Sequence, residues 1–265
     1  MILTLETTAV LRHWSGNGSA SHSLLDLPAF TMKTLALRGL NIPASSLAGW
    51  GLKDCDQLRD RADKAGCPCL VLVEDTPLDL ASSDPGVIDD ALGRVRRLAT
   101  AANRLGCNSL ALKVGAPDTD EAFERAARTL RRMLTSVERL ELNLLLVPNE
   151  GLTDDPDRLA ELIKRIGGFR IGSLPSFGHA AKHGDPVGVL RRLAPYAGAI
   201  HATVHDFTKA GKHKEYDLAK CVQAIRSVGF TNTLAIEYVG DHDPLPAIEK
   251  ARDVLNAAIE AEGAG

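Results

Sequence analysis

The sequence predicts an α/β fold, a single (β/α)8 TIM barrel over residues 1–265, on three observations. Apolar strand-like runs alternate with amphipathic helical runs eight times, most strand runs end in polar or charged residues, and no Gly-x-Gly-x-x-Gly follows the first strand to favour a doubly wound open sheet. The length of 265 residues suits one such barrel, and no linker divides the chain.

Ile2 to Glu6 alternates as a first strand, and the stretch His13 to His22 is rich enough in turn formers for a rim loop. Leu24 to Leu37 is helical and Gly39 closes it. Leu40 to Ile42 is a short second strand stopped by Pro43. Leu52 to Ala65 is an amphipathic helix, and Pro68 to Val73 is a third strand ending at Glu74 and Asp75. Asp84-Pro85 opens a helix to about Leu105, and Ser109 to Lys113 is the fourth strand. The arginines of the helix Asp120 to Leu134 are interleaved with Glu121, Glu124 and apolar residues, as on a solvated amphipathic face. Leu142 to Val147 is the fifth strand, and Asp154 or Asp155 with Pro156 begins a helix ending at Gly167-Gly168. Phe169 to Leu174 is the sixth strand, followed by a loop Pro175 to His179 and a helix from Pro186 to Leu193. Ala199 to Thr203 is the seventh strand, Tyr216 to Val228 its helix, and Thr233 to Val239 the eighth strand, broken at Gly240 before a helix from Leu245 to Ala261.

Hydrophobic residues make up 45% and charged residues 25%, the balance of an ordinary soluble enzyme, and a net charge of −3 gives no electrostatic case for nucleic acid. No apolar run reaches the length of a spanning helix and no secretory leader is expected, so no membrane partner follows. The five cysteines, Cys55, Cys67, Cys69, Cys107 and Cys221, have no paired-ligand spacing and are expected as free buried thiols in a reducing cytoplasm.

In such a barrel the chemistry sits where strands end, which selects Glu6, Glu74, Lys113, Glu150, His179, His201, His205 and Glu237. A glutamate inside an apolar strand is costly to bury without a partner, which makes Glu237 functional or paired, for instance with Lys113. His201, on the strand before it, is either a hydrogen-bonded core histidine or a ligand sharing a divalent metal with Glu237. His179 is placed to donate to a substrate oxygen or to cap its loop, and Lys113 to meet an anionic or carbonyl oxygen. Glu6, Glu150, Ser176 and His205 are expected around the substrate.

Pro175-Ser-Phe-Gly-His179, Ile200-His-Ala-Thr-Val-His-Asp-Phe207 and Leu234-Ala-Ile-Glu-Tyr-Val-Gly240 resemble the strand-end motifs of the xylose-isomerase-like sugar phosphate isomerase/epimerase family. The resemblance covers the chain by topology and the last four strands by motif. It implies one divalent metal, held by a glutamate ending strand five, an aspartate after strand six, a histidine on strand seven and a glutamate on strand eight. Those places fall on Pro148, Ser176, either His201 or Thr203, and Glu237. The implied metal, manganese, magnesium or zinc, is thus left with His201 and Glu237 at best, a degenerate and weakly binding site unless Glu150, His179 or His205 supplements it. No cofactor is otherwise implied.

Two functions follow from the resemblance. One is a sugar or sugar phosphate isomerase/epimerase acting by proton transfer next to a carbonyl, with Glu237 as base, His179 polarising the carbonyl and a small carbohydrate as substrate. The alternative is a noncatalytic carbohydrate-binding or interaction protein on the same fold. Self-association stays open.

Overall fold

The structure, a computed structural model, describes residues 1–16 and 22–261. Eight strands are present: β1 (Ile2–Glu6), β2 (Leu40–Pro43), β3 (Cys69–Asp79), β4 (Ser109–Gly115), β5 (Asn143–Val147), β6 (Ile171–Ser173), β7 (Ala199–Val204) and β8 (Thr233–Tyr238). The helices are α1 (Thr8–Gly16), α2 (Leu27–Lys33), α3 (Leu52–Ala65), α4 (Pro85–Leu105), α5 (Asp120–Glu138), α6 (Pro156–Ile166), α7 (Phe177–Lys182), α8 (Pro186–Leu193), α9 (Leu218–Arg226) and α10 (Pro244–Glu260). All strand pairs are parallel, in the order β6-β5-β4-β3-β2-β1-β8-β7. The two end strands meet at isolated bridges, Ser173 with Ala197 and Ser176 with His201, where Gly198 N donates to Ser173 O at 3.1 Å and His201 N to Pro175 O at 3.0 Å. The ring of eight is closed there by isolated bridges in place of a continuous ladder.

The strand period of two sorts each strand into an outward row under the helices and an inward row. Inside the ring Val71, Val73, Ala111, Leu145, Leu174 and Ala199 form a small apolar plug. The much larger core lies between strands and helices, where α4 and α5 contribute Leu92, Val95, Leu98, Phe123, Leu130 and Met133. With the plug filling the lower barrel, the remaining inward positions, including Lys113, Val147, Thr203 and Glu237, open at the C-terminal face.

The sequence expectations differ from the structure at several elements. The stretch expected as a rim loop from His13 continues α1 to Gly16, and its middle, 17–21, lies outside the described residues. β3 runs past Glu74 and Asp75 to Asp79, because a register shift lets Leu78 and Asp79 pair with Val114 and Gly115. β6 is shortened to three residues and Phe169 is fully exposed. The expected loop after it winds into α7, whose first turn is capped by Ser176 Oγ accepting from His179 N at 3.1 Å. α9 begins two residues later than expected, at Leu218, because Asp217 caps it and leaves Tyr216 in the preceding loop.

Glu74 is 1% exposed and accepts from Arg94 Nε at 2.6 Å, so this strand-end carboxylate ties α4 to β3. All five cysteines are buried and free; burial pushes the Cys67 and Cys69 thiols up to about 12, far from thiolate chemistry at neutral pH. No helix among the described residues is long and apolar enough to cross a membrane.

Candidate functional site

The C-terminal face holds a cavity of about 1000 Å³ lined by Lys113, Val147, Pro148, Glu150, Asp154, Ser176, His179, Thr203, His205, Tyr216 and Glu237, among others. Six of the residues singled out in the sequence therefore share one cavity: Lys113, Glu150, Ser176, His179, His205 and Glu237. Glu6 and His201 do not line it; they lie buried, 7% exposed each, among the barrel's inward-facing polar groups.

Glu237 is held from β7. Its Cα pairs with that of Thr203, whose hydroxyl donates to Oε2 at 2.7 Å, while His201 Nδ1 stands 3.3 Å from Oε1. Burial pushes this carboxyl up, but His201, Thr203 and the charge of Lys113 together outweigh burial and hold it below the usual carboxylate range. At neutral pH it is an oriented carboxylate facing the cavity.

His201 carries the same contact from the other side. Burial pushes it down, and the neighbouring Glu237 and Glu6 charges more than reverse this, so its pKa lies above the ordinary imidazole value. Its Nε2 sits 3.1 Å from Asn41 Nδ2, and Asn41 Oδ1 is buried without a partner. With the amide as placed, Nε2 accepts; with the amide turned over, Oδ1 accepts from Nε2–H, the arrangement an imidazolium needs. Both ring nitrogens are thus engaged by protein. Asn41 was hidden in the sequence by its place in a four-residue strand that is buried throughout.

Glu6, paired with Asn41 across β1 and β2, accepts from Thr8 Oγ1 at 2.6 Å and from Thr8 N. Burial, with the Glu237 charge adding to it, pushes its pKa up to about 7. The cavity floor and the interior beneath it therefore hold two unlike carboxyls, Glu237 held below and Glu6 raised well above the usual carboxylate range.

On the β5–β6 side His179 Nε2 lies 3.2 Å from Asp154 Oδ1 and 3.3 Å from His183 Nε2, with its Nδ1 buried and unpartnered. Burial lowers its pKa, more than Asp154 raises it. Asp155 rather than Asp154 caps α6, accepting from Asp157 and Arg158 N, which frees Asp154 to turn toward the histidines. His205 N donates to His213 Nε2 at 2.9 Å, while the adjacent Asp206 accepts from Tyr238 Oη and Lys214 Nζ. Tyr216, a cavity residue missed in the sequence, donates its hydroxyl to Thr203 O and so braces the backbone behind Glu237.

Of the places at which the resemblance implies metal ligands, Pro148, Ser176, Thr203 and Glu237 line the cavity, while His201, the other candidate for the strand-seven place, lies beneath it with both ring nitrogens engaged. Pro148, Ser176 and Thr203 offer neither carboxylate nor imidazole, and Ser176 Oγ is already spent on the α7 cap. These residues do not fit a divalent ion at that place.

Comparison with known proteins agrees with this architecture. No curated protein matches the chain by sequence. Among solved structures it is similar to an L-ribulose 3-epimerase, with 16% identity over 90% of this chain and 91% of the other and a TM-score of 0.77. It is similar to the 3-keto-D-glucoside 4-epimerase YcjR from E. coli, at 11% identity over 97% and 99% and a TM-score of 0.78. The probable 3-DHS dehydratase AsbF from Bacillus anthracis superposes comparably, at 15% identity over 97% and 99% with a TM-score of 0.75. At such identities the likeness is one of fold. Residues 33–258 match the family described as xylose isomerase-like TIM barrel, and the chain belongs to that family.

Proposed function

We propose that the protein is an isomerase or epimerase of a small sugar or sugar derivative, working by proton transfer at a carbon next to a carbonyl. The observation that carries this reading is Glu237, a carboxylate kept ionised and aimed into the cavity by His201 and Thr203, with Lys113 lining the same cavity. Glu237 takes the proton from the carbon, the C–H electron pair becomes a C=C bond, and the carbonyl electrons move onto oxygen, where the Lys113 ammonium meets the charge. Return of a proton to the opposite face gives the epimer; Glu150 on the β5 loop serves that face as a carboxylic acid that gives up its proton, and exchange with solvent then deprotonates Glu237 and reprotonates Glu150 for the next turnover. The contact of His179 Nε2 with Asp154 supports Lys113 as the group that meets that oxygen. The cavity's lining of carboxylates, imidazoles and hydroxyls suits a polyhydroxylated ligand, and five buried free thiols support a reducing compartment, the cytoplasm.

The test is solvent deuterium wash-in, followed by NMR on a panel of keto- and aldo-sugars and their phosphates, with purified protein and with Glu237→Gln. Wash-in that falls at least about 100-fold in the variant is expected of a general base; wash-in that survives removes Glu237 from the mechanism. A sugar that raises the melting temperature without wash-in or turnover assigns the protein to a noncatalytic binding role, which Pro148 and Ser176 at the inherited ligand places would then explain.

A further inference from the structure

Three ligand-type atoms converge on the β5–β6 side of the cavity, apart from the Glu237 and His201 pair. His179 Nε2 and His183 Nε2 are 3.3 Å apart, and Asp154 Oδ1 lies 3.2 Å from the first and 3.8 Å from the second. Among the described residues this is the one group of three His, Cys, Asp or Glu side chains whose ligand atoms fall within 4.8 Å of one another.

Hydrogen bonding alone accounts poorly for the cluster. If His179 Nε2–H donates to Asp154 it cannot also accept from His183 Nε2, 3.3 Å away, and His183 Nε2 at 3.8 Å is too far from the Asp154 oxygen to share it. A cation accounts for it better. Zinc bonds of 2.0–2.1 Å at tetrahedral angles place neighbouring ligand atoms about 3.3–3.4 Å apart; the separations of 3.2 and 3.3 Å match this, and the third, 3.8 Å, is about half an ångström longer. The sequence spacing serves the same end: His179 and His183 are four apart at the end of α7, which puts both imidazoles on one face. Asp154 is delivered by the loop after β5, its own N–H fixed by Gly151 O at 3.1 Å.

We propose that Asp154, His179 and His183 form a binding site for zinc or a zinc-like divalent ion on the cavity wall. Two nitrogens and one carboxylate oxygen are a zinc set rather than a magnesium or calcium set. Asp154 and His179 also line the cavity, so the remaining coordination position opens toward it and toward solvent at the rim. An ion there supplies Lewis acidity to an oxygen in the cavity. The site involves none of Pro148, Ser176, Thr203 and Glu237, and it does not depend on the isomerase reading. Because His179 Nδ1 has no acceptor behind it, a contact worth about 10–100-fold in affinity is missing, and micromolar rather than nanomolar binding is expected.

The experiment is calorimetric titration of chelator-treated full-length protein with zinc chloride, and with cobalt chloride followed by the visible absorption of four-coordinate cobalt. About one ion per chain is expected, with a four-coordinate cobalt band, and binding weakened at least about tenfold in both His183→Ala and Asp154→Asn, as for a lost ligand. Both changes fall on partly exposed side chains, and a thermal melt of each metal-free variant confirms that it is folded. Glu237→Gln should bind zinc as the parent does. Absence of saturable binding below millimolar zinc overturns the proposal, as does binding lost in Glu237→Gln but kept in His183→Ala, which would place the ion at the strand-eight carboxylate instead.

Discussion

Thr203 stands directly across the β7–β8 ladder from Glu237 and donates its hydroxyl to Oε2 at 2.7 Å. The pairing sets a short hydroxyl side chain against a carboxylate and fixes the orientation of that carboxylate. Gly178 of α7 packs on the same threonine, since a Cβ there would lie 3.0 Å from Thr203 Cγ2.

Thr203→Val keeps that packing and removes the donor. A hydrogen bond to the charged form favours it, so without the Thr203 donor the Glu237 pKa should rise. In the pH profile of kcat/KM, or of deuterium wash-in, the acid limb moves up accordingly, while Thr203→Ser leaves it in place. An unmoved limb in Thr203→Val would show that His201 alone sets the charge of Glu237.

The second prediction concerns Glu6, whose pKa is raised from 4.5 to about 7. Between those values the folded protein binds more protons than the unfolded chain, so stability falls as pH rises through the window and levels off above it. The loss attributable to Glu6 is about 3 kcal/mol. His201, also raised, adds a slope of the same sign above the ordinary imidazole range, so the quantity to measure is the difference between parent and Glu6→Gln. Urea unfolding at pH 5 and pH 8 should show a shallower decline in the variant; identical declines contradict the assignment.

Gly151 follows Glu150 with φ 91°, and a Cβ on it would run into the carbonyl oxygen of Ala116. Gly151→Ala therefore combines left-handed strain with a backbone collision and should cost at least about 2 kcal/mol, a fall in Tm of about 4–8 °C. Gly184 has φ 77° but open space around its Cβ position, so Gly184→Ala should cost about 1 kcal/mol from conformation alone. Equal effects in differential scanning calorimetry would remove the collision from the account.

The barrel was legible because buried parallel strands are apolar on both faces and end abruptly, as β8 does at Gly240. The missed elements are those where another signal intervened. The acids of β3 look like a rim but belong to a strand that pairs onward after a register shift. α7 is six residues long, too short for a 3.6-residue period to show, although the Ser176 cap was readable. The candidate site divided along similar lines. Strand-end position found Lys113, His179 and Glu237, but depth in the barrel is set by register, which separated cavity-lining Thr203 from buried His201. Asn41 and Tyr216 gain their roles from partners on β7, 160 and 13 residues away along the chain, and nothing local marks them. The histidine pair had a readable signal in its four-residue spacing; its third member looked like a helix cap until Asp155 took that role.

The seam between β6 and β7 makes the barrel a split ring, with Ser176 and His179 on one lip and Thr203 and Glu237 on the other. Compliance is concentrated where the ladder is interrupted, so thermal breathing should widen this slot before it opens the continuous ladders. The aperture through which a ligand reaches the carboxylate is then governed by the same hydrogen bonds that close the fold. We predict that the amides of Gly198 and His201 exchange with deuterium well before that of Leu112 in the continuous β4 ladder, and that a bound sugar bridging the two lips slows them selectively. Uniform protection around the ring would mean a rigid hoop, and entry from the open face alone.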